Sequence, residues 1–90
     1  MTAICLHCFI SGRVQGVCYR RETQKQAQAQ GVQGWVQNLD DGRVEAVLCG
    51  EREAVDALRD WLWKGPPAAK VTAVEVEEMP CQNLTQFEMR

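Results

Sequence analysis

Strict alternation over residues 4–11 constrains this chain more than any other feature. Ile4, Leu6, Cys8 and Ile10 point to one side of an extended segment, and Cys5, His7, Phe9 and Ser11 to the other. Strand side chains repeat with period two, so this is a β-strand with its even positions in a core. Gly12-Arg13-Val14-Gln15-Gly16-Val17 follows, and two glycines in six residues read as a loop. Residues 20–30 are good helix formers that end at Gly31, a natural C-terminal stop. The apolar stripe of this helix is thin, with Ala27 helped by Thr23 and Ala29, and Gln24, Gln26, Gln28 and Gln30 read as a solvated face.

Val32 to Asn38 reads as a second strand, and Asp40-Asp41-Gly42 as a turn into a third strand from Arg43 to Cys49. Val44, Ala46 and Leu48 share one face of that third strand. Arg43, Glu45, Val47 and Cys49 share the other. Ala54, Val55, Leu58, Trp61 and Leu62 then recur at helical spacing until Gly65-Pro66-Pro67 stops the helix. A fourth strand is expected over residues 70–78 and a short fifth over 87–90. The order strand, helix, strand, strand, helix, strand is the split βαβ pattern of an α+β, ferredoxin-like sandwich. It implies an antiparallel sheet of four to five strands, spatial order 4-1-3-2, with both helices on one face. Ninety residues hold one such core, so residues 1–90 are read as a single domain.

Composition narrows the function. Ten Lys and Arg against 12 Asp and Glu leave a net charge of −2, with no broad basic field for nucleic acid or anionic membrane. The apolar run from Ala3 to Ile10 is too short and too polar to span a bilayer, and no charged segment precedes it as in a secretory signal. Five cysteines, an odd number, fit a cytoplasmic protein whose thiols are mostly reduced. The single histidine, His7, excludes any mechanism that needs a histidine pair.

Chemistry is concentrated between Gly12 and Arg20. A glycine loop running into a helix exposes backbone N–H groups that cradle an anion, and Arg20 would stand beside that cradle in the first helical turn. Its planar fork suits a phosphate. The spacing lacks the Gly-Lys-Ser/Thr ending of a nucleotide P-loop and the dinucleotide glycine fingerprint. By itself it fits a tight turn with a solvated arginine equally well.

The residues add a resemblance. Gly12-Arg13-Val14-Gln15-Gly16-Val17-Cys18-Tyr19-Arg20 resembles the first signature of the acylphosphatase family, and Gly34-Trp35-Val36-Gln37-Asn38 with Asp41-Gly42-Arg43-Val44-Glu45 resembles the second. The likeness extends over nearly the whole chain. It implies hydrolysis of the carboxyl-phosphate bond of a small-molecule acyl phosphate, giving a carboxylate and inorganic phosphate. Arg20 would bind the phosphoryl group with the amides of Gln15, Gly16, Val17, Cys18 and Tyr19, and Asn38 would position the attacking water. Tyr19 stands where the family more often has phenylalanine, and Cys18 occupies a variable position. No cofactor or metal is implied, and the chain is expected to act as a monomer. The chemistry agrees: a carboxylate leaves as a stable anion, so no acid is needed, and phosphoryl transfer asks chiefly for positioning and charge stabilisation.

Other features have plainer readings. Cys5 and Cys8 have CxxC spacing, but residues three apart in a strand face opposite sides, which argues against a metal site. His7 is an outward strand residue, Asp40 and Asp41 are turn residues, and Trp35, Trp61 and Trp63 are core or core-edge. In the expected topology Cys5 and Cys49 are cross-strand neighbours on the face away from the helices, able to form a disulfide under oxidising conditions. Two alternatives remain: a phosphate or acyl/carbamoyl phosphate binding module without hydrolysis, and RNA binding on the open sheet face. Against the second, Cys5, His7, Phe9, Glu45 and Val47 offer one aromatic ring and little positive charge.

Overall fold

The alternating segment becomes an interior strand of the sheet. In the computed structural model, which describes residues 2–90, the elements are β1 (Ala3–Arg13), α1 (Tyr19–Gln30), β2 (Gln33–Asn38), β3 (Val44–Glu51), α2 (Arg52–Lys64), β4 (Lys70–Met79) and β5 (Phe87–Met89). The strands form one sheet in the order β4-β1-β3-β2-β5. β1 runs antiparallel to β3 and β4, and β2 antiparallel to β3, which gives the expected 4-1-3-2 arrangement. The sheet is mixed, however, because β5 pairs with β2 in parallel. The connection after β4 carries the chain to the far edge, where β5 runs against β4 and therefore along β2. A three-residue strand carries no directional signal in its sequence. Among the described residues no helix is long and apolar enough to cross a membrane.

Parity sets the core. Ile4, Leu6, Cys8 and Ile10 of β1, Val36 of β2 and Val44, Ala46 and Leu48 of β3 are buried against Val55, Leu58 and Leu62 of α2 and Ala27 of α1. Ala29 is exposed rather than part of the stripe. Helix α1 instead begins one residue early and buries Tyr19, whose hydroxyl donates to the Leu62 carbonyl at 2.5 Å and whose ring lies 5.9 Å from that of Trp61. Thr23, fully buried, satisfies its hydroxyl on the Tyr19 carbonyl at 2.7 Å. Trp63 is 52% exposed, since it lies off the 55-58-62 stripe, and is not a core residue.

The face away from the helices is not bare. Cys5, Val47 and Cys49 form a second buried cluster with Trp35, Met79 and Leu84 against it. Cys5 and Cys49 are register partners with Cα atoms 4.1 Å apart, and a disulfide joins them. His7 is half-buried and engaged rather than simply outward-facing. Its Nε2 lies 2.6 Å from Glu45 Oε2, and Gln37 donates to Glu45 Oε1 at 2.8 Å.

Two outcomes are expected. The disulfide closes a separation of 44 residues. Replacing both cysteines by alanine should cost about 2–4 kcal/mol, and reductant should lower the wild-type melting temperature by at least about 8 °C; coincident melts with and without reductant would contradict this. The second outcome concerns acid. Partial burial opposes the charged form of Glu45, but the hydrogen bonds from His7 and Gln37 outweigh it and hold the carboxyl below its ordinary 4.5. A depressed folded-state value means stability that is present above pH 4.5 and lost as pH falls through the lowered value. Glu45→Gln should therefore lose less stability than wild type in urea titrations between about pH 5 and pH 3.

Candidate active site

The loop between β1 and α1 is shaped by local backbone demands. The β1–β4 register shifts between Ser11 and Gly12. Gly12 has φ +121°, and a Cβ there would lie 2.1 Å from the Lys70 carbonyl oxygen, so only glycine fits this bulge. Val14 and Val17 then pin the loop into the core. Gly16 and Cys18 stay exposed, both in the left-handed region with φ 74° and 64°. For Cys18 that conformation costs roughly 1–2 kcal/mol.

Cys18 is the N-cap of α1, and no side chain caps the helix. The first backbone bond runs from Glu22 N–H to the Cys18 carbonyl at 3.0 Å. The N–H groups of Tyr19, Arg20 and Arg21 therefore have no intrahelical acceptor and lie at the positive end of the helix dipole. A loop followed by open amides is an anion cradle in its own right.

Arg20 is the second residue of α1, and its Nη1 donates to the main-chain oxygen of Arg90. Gln24, four residues on, donates to the Phe87 carbonyl at 3.0 Å rather than facing solvent. The β5 segment thus fixes the arginine against the cradle. The contact with that oxygen orients the guanidinium. Asn38, exposed, ends β2 opposite Val44.

Gly16, Cys18, Tyr19, Arg20 and Asn38 come together in one cleft of about 320 Å³, completed by Val14, Arg21 and Met89. The side chains of two sequence candidates, both named for their backbone amides, turn away from it. Val17 points into the core, and the Gln15 side chain turns to the β2–β3 hairpin, donating from Nε2 to the carbonyls of Leu39 and Arg43 at 2.8 and 2.9 Å. Tyr19 can offer the cleft its amide, since its ring and hydroxyl belong to the core. Sequence reasoning missed Arg21 and Met89; a second arginine directly after Arg20 was the one available signal. Asp41 is engaged in the turn, accepting from Arg43 N at 3.0 Å and from Arg43 Nε at 2.8 Å.

Electrostatics favour a doubly charged anion here. Two arginines line the cleft, and among the described residues no Asp, Glu or His side chain does. Burial, reinforced by the nearby Cys8 thiol, pushes the Tyr19 phenol well above its usual range, and burial pushes the Cys8 thiol up to about 12, so both stay neutral. A wider groove of about 630 Å³ beside the start of α2 is lined by Glu51 and Glu53 with a single arginine, and two carboxylates make it a poor anion site.

Known proteins match this arrangement. The acylphosphatase family model matches residues 6–89. An acylphosphatase of Nitrosococcus oceani is 52% identical over 86 residues, covering 96% of this chain and 97% of that protein. One from Pseudomonas aeruginosa is 51% identical over 90 residues, covering 100% and 99%. The solved structure of an acylphosphatase from Coxiella burnetii superposes with a TM-score of 0.95 at 43% identity, covering 98% of this chain and 93% of that one. Sheet order, a cationic cleft at the start of α1 and similarity to these enzymes over nearly the whole length lead to one conclusion: the chain belongs to the acylphosphatase family, enzymes that hydrolyse the carboxyl-phosphate bond of acyl phosphates.

Proposed function

We propose that Arg20 and the amides at the start of α1 hold the phosphoryl group while Asn38 orients the water that attacks it. The observation that carries this reading is the convergence of Arg20, the uncapped helix start and Asn38 in one cleft that no acidic side chain lines among the described residues. Water attacks phosphorus in line, the P–O bond to the acyl group breaks, and its electron pair leaves on the carboxylate. The water's protons pass to solvent and to the phosphate formed. The arginine fork and the amides meet the charge spread over the equatorial oxygens. Asn38 is a weak base, but its amide oxygen accepts a water hydrogen and so directs the lone pair.

We also read the chain as a single domain that acts as a monomer on a small-molecule acyl phosphate, without nucleic acid or membrane. Cys8, Cys18 and Cys81 are free thiols, which suits a reducing cytoplasm. There the Cys5–Cys49 bond would depend on its burial to persist.

Benzoyl phosphate hydrolysis with inorganic phosphate as competitor tests the division of roles. Arg20→Ala should lose both phosphate inhibition and at least about 10²-fold in activity. Asn38→Ala should lose about 10²-fold in kcat while keeping phosphate inhibition near wild type. Retained activity in Arg20→Ala defeats the mechanism. Loss of phosphate inhibition in Asn38→Ala with turnover preserved would reverse the roles.

A further inference from the structure

We infer that Gln15 is a positioning residue for hydrolysis, its side chain clamping the anion cradle to the hairpin that carries Asn38 rather than touching phosphate. The inference rests on the roles of Arg20 and Asn38 proposed above and deepens them.

In-line attack requires that the group holding phosphorus and the group holding water keep a fixed separation. Those groups sit on different parts of the chain. The cradle follows β1, Asn38 ends β2, and β3 lies between the two strands. Val44, at the start of β3, is paired with Ile10 on one side and Asn38 on the other. Beyond that row β1 runs on to Arg13 against β4 alone and β2 ends, so no ladder bond through β3 connects the two. Two strand spacings, about 9–10 Å, then separate the exits.

Gln15 bridges that gap. Its carboxamide nitrogen donates one hydrogen to the Leu39 carbonyl at 2.8 Å and the other to the Arg43 carbonyl at 2.9 Å. Leu39 is the residue after Asn38, and its N–H bonds to the same Arg43 carbonyl at 2.8 Å, closing the hairpin neck. The fork therefore grips both sides of the neck at the base of Asn38. Among the described residues, these are the two hydrogen bonds between loop 14–18 and hairpin 38–43.

A glutamine is the side chain this task needs. One nitrogen supplies two donors without charge, at a reach that asparagine lacks. An ionised glutamate supplies none and sets a negative oxygen against two carbonyl oxygens. Each carbonyl also has a second partner: Arg43 O accepts from Leu39 N, and Leu39 O accepts from Gly42 N at 3.2 Å. Losing Gln15 thus orphans neither group, so the fold is kept while the spacing is loosened.

Kinetics of Gln15→Met and Gln15→Glu, alone and combined with Asn38→Ala, test the inference with benzoyl phosphate as substrate and inorganic phosphate as competitor. Gln15→Met should lower kcat at least about 10-fold, since small misplacements of reacting groups are costly, and leave phosphate inhibition within about 2-fold. In the Asn38→Ala background the same change should cost less than about 2-fold, because the residue it positions is gone. Gln15→Glu should regain activity on acidification, as the introduced carboxyl takes up a proton and recovers one donor. Three results overturn the inference: unchanged kcat in Gln15→Met, a fall in phosphate affinity matching the fall in kcat, or an undiminished effect in the Asn38→Ala background. A flat acid profile for Gln15→Glu overturns it too, and that readout compares one folded variant with itself. Normal turnover in Asn38→Ala alone would instead defeat the underlying roles.

Discussion

Val44 is the point on which sheet and site both depend. Its pairing with Ile10 and with Asn38 sets the register of three strands in one row. A slip of one residue on either side would turn every inward side chain of that strand outward. The buried file of Ile4, Leu6, Cys8 and Ile10 and the facing file of Val44, Ala46 and Leu48 hold the register, because either slip would expose an apolar file to water. The same register places the ends of β1 and β2 at one end of the sheet. The loop after one and the hairpin after the other can then face a common volume. Packing of aliphatic side chains thus decides where an asparagine and an arginine meet.

Much of this was legible in the residues because it rests on short-range rules. Alternation identified β1 and β3 and their inner faces, and helical spacing identified α2 with Val55, Leu58 and Leu62 inward. The cradle could be read from two glycines before a helix, and the resemblance to a known family supplied Arg20 and Asn38. What escaped depends on contacts that local sequence does not encode. The direction of β5 is set by the 80–86 connection, and the burial of Tyr19 by a carbonyl on the other helix. Gln24 looked like one of four solvated glutamines until the β5 backbone gave it a partner. Gln15 belongs to the same class: its amide was legible as part of the loop, whereas its side-chain partners are 24 and 28 residues away.

The cleft itself is built by omission as much as by placement. Twelve acidic residues are present in the chain, yet among the described residues none lines the cleft. Asp41 spends its carboxylate on the Arg43 backbone and guanidinium, and Glu45 faces the opposite side of the sheet with His7 and Gln37. Arg20 is steadied by a main-chain oxygen of Arg90, which orients its guanidinium. A near-neutral protein thereby keeps a locally cationic pocket.

The way β5 serves the arginine bears on how the molecule assembles. Arg20 and Arg90 are 70 residues apart, and Gln24 and Phe87 are 63 apart, so these are among the longest loop closures the chain must make. Closures of that length cost more chain entropy than local ones, and a three-residue edge strand brings few contacts to offset it, so β5 is the element the sheet is expected to add late. Helix α1, β2 and the hairpin can order around the core while the arginine still lacks its clamp. On this ordering the chain becomes stable before it becomes active, and recovery of hydrolysis during refolding would trail recovery of the core.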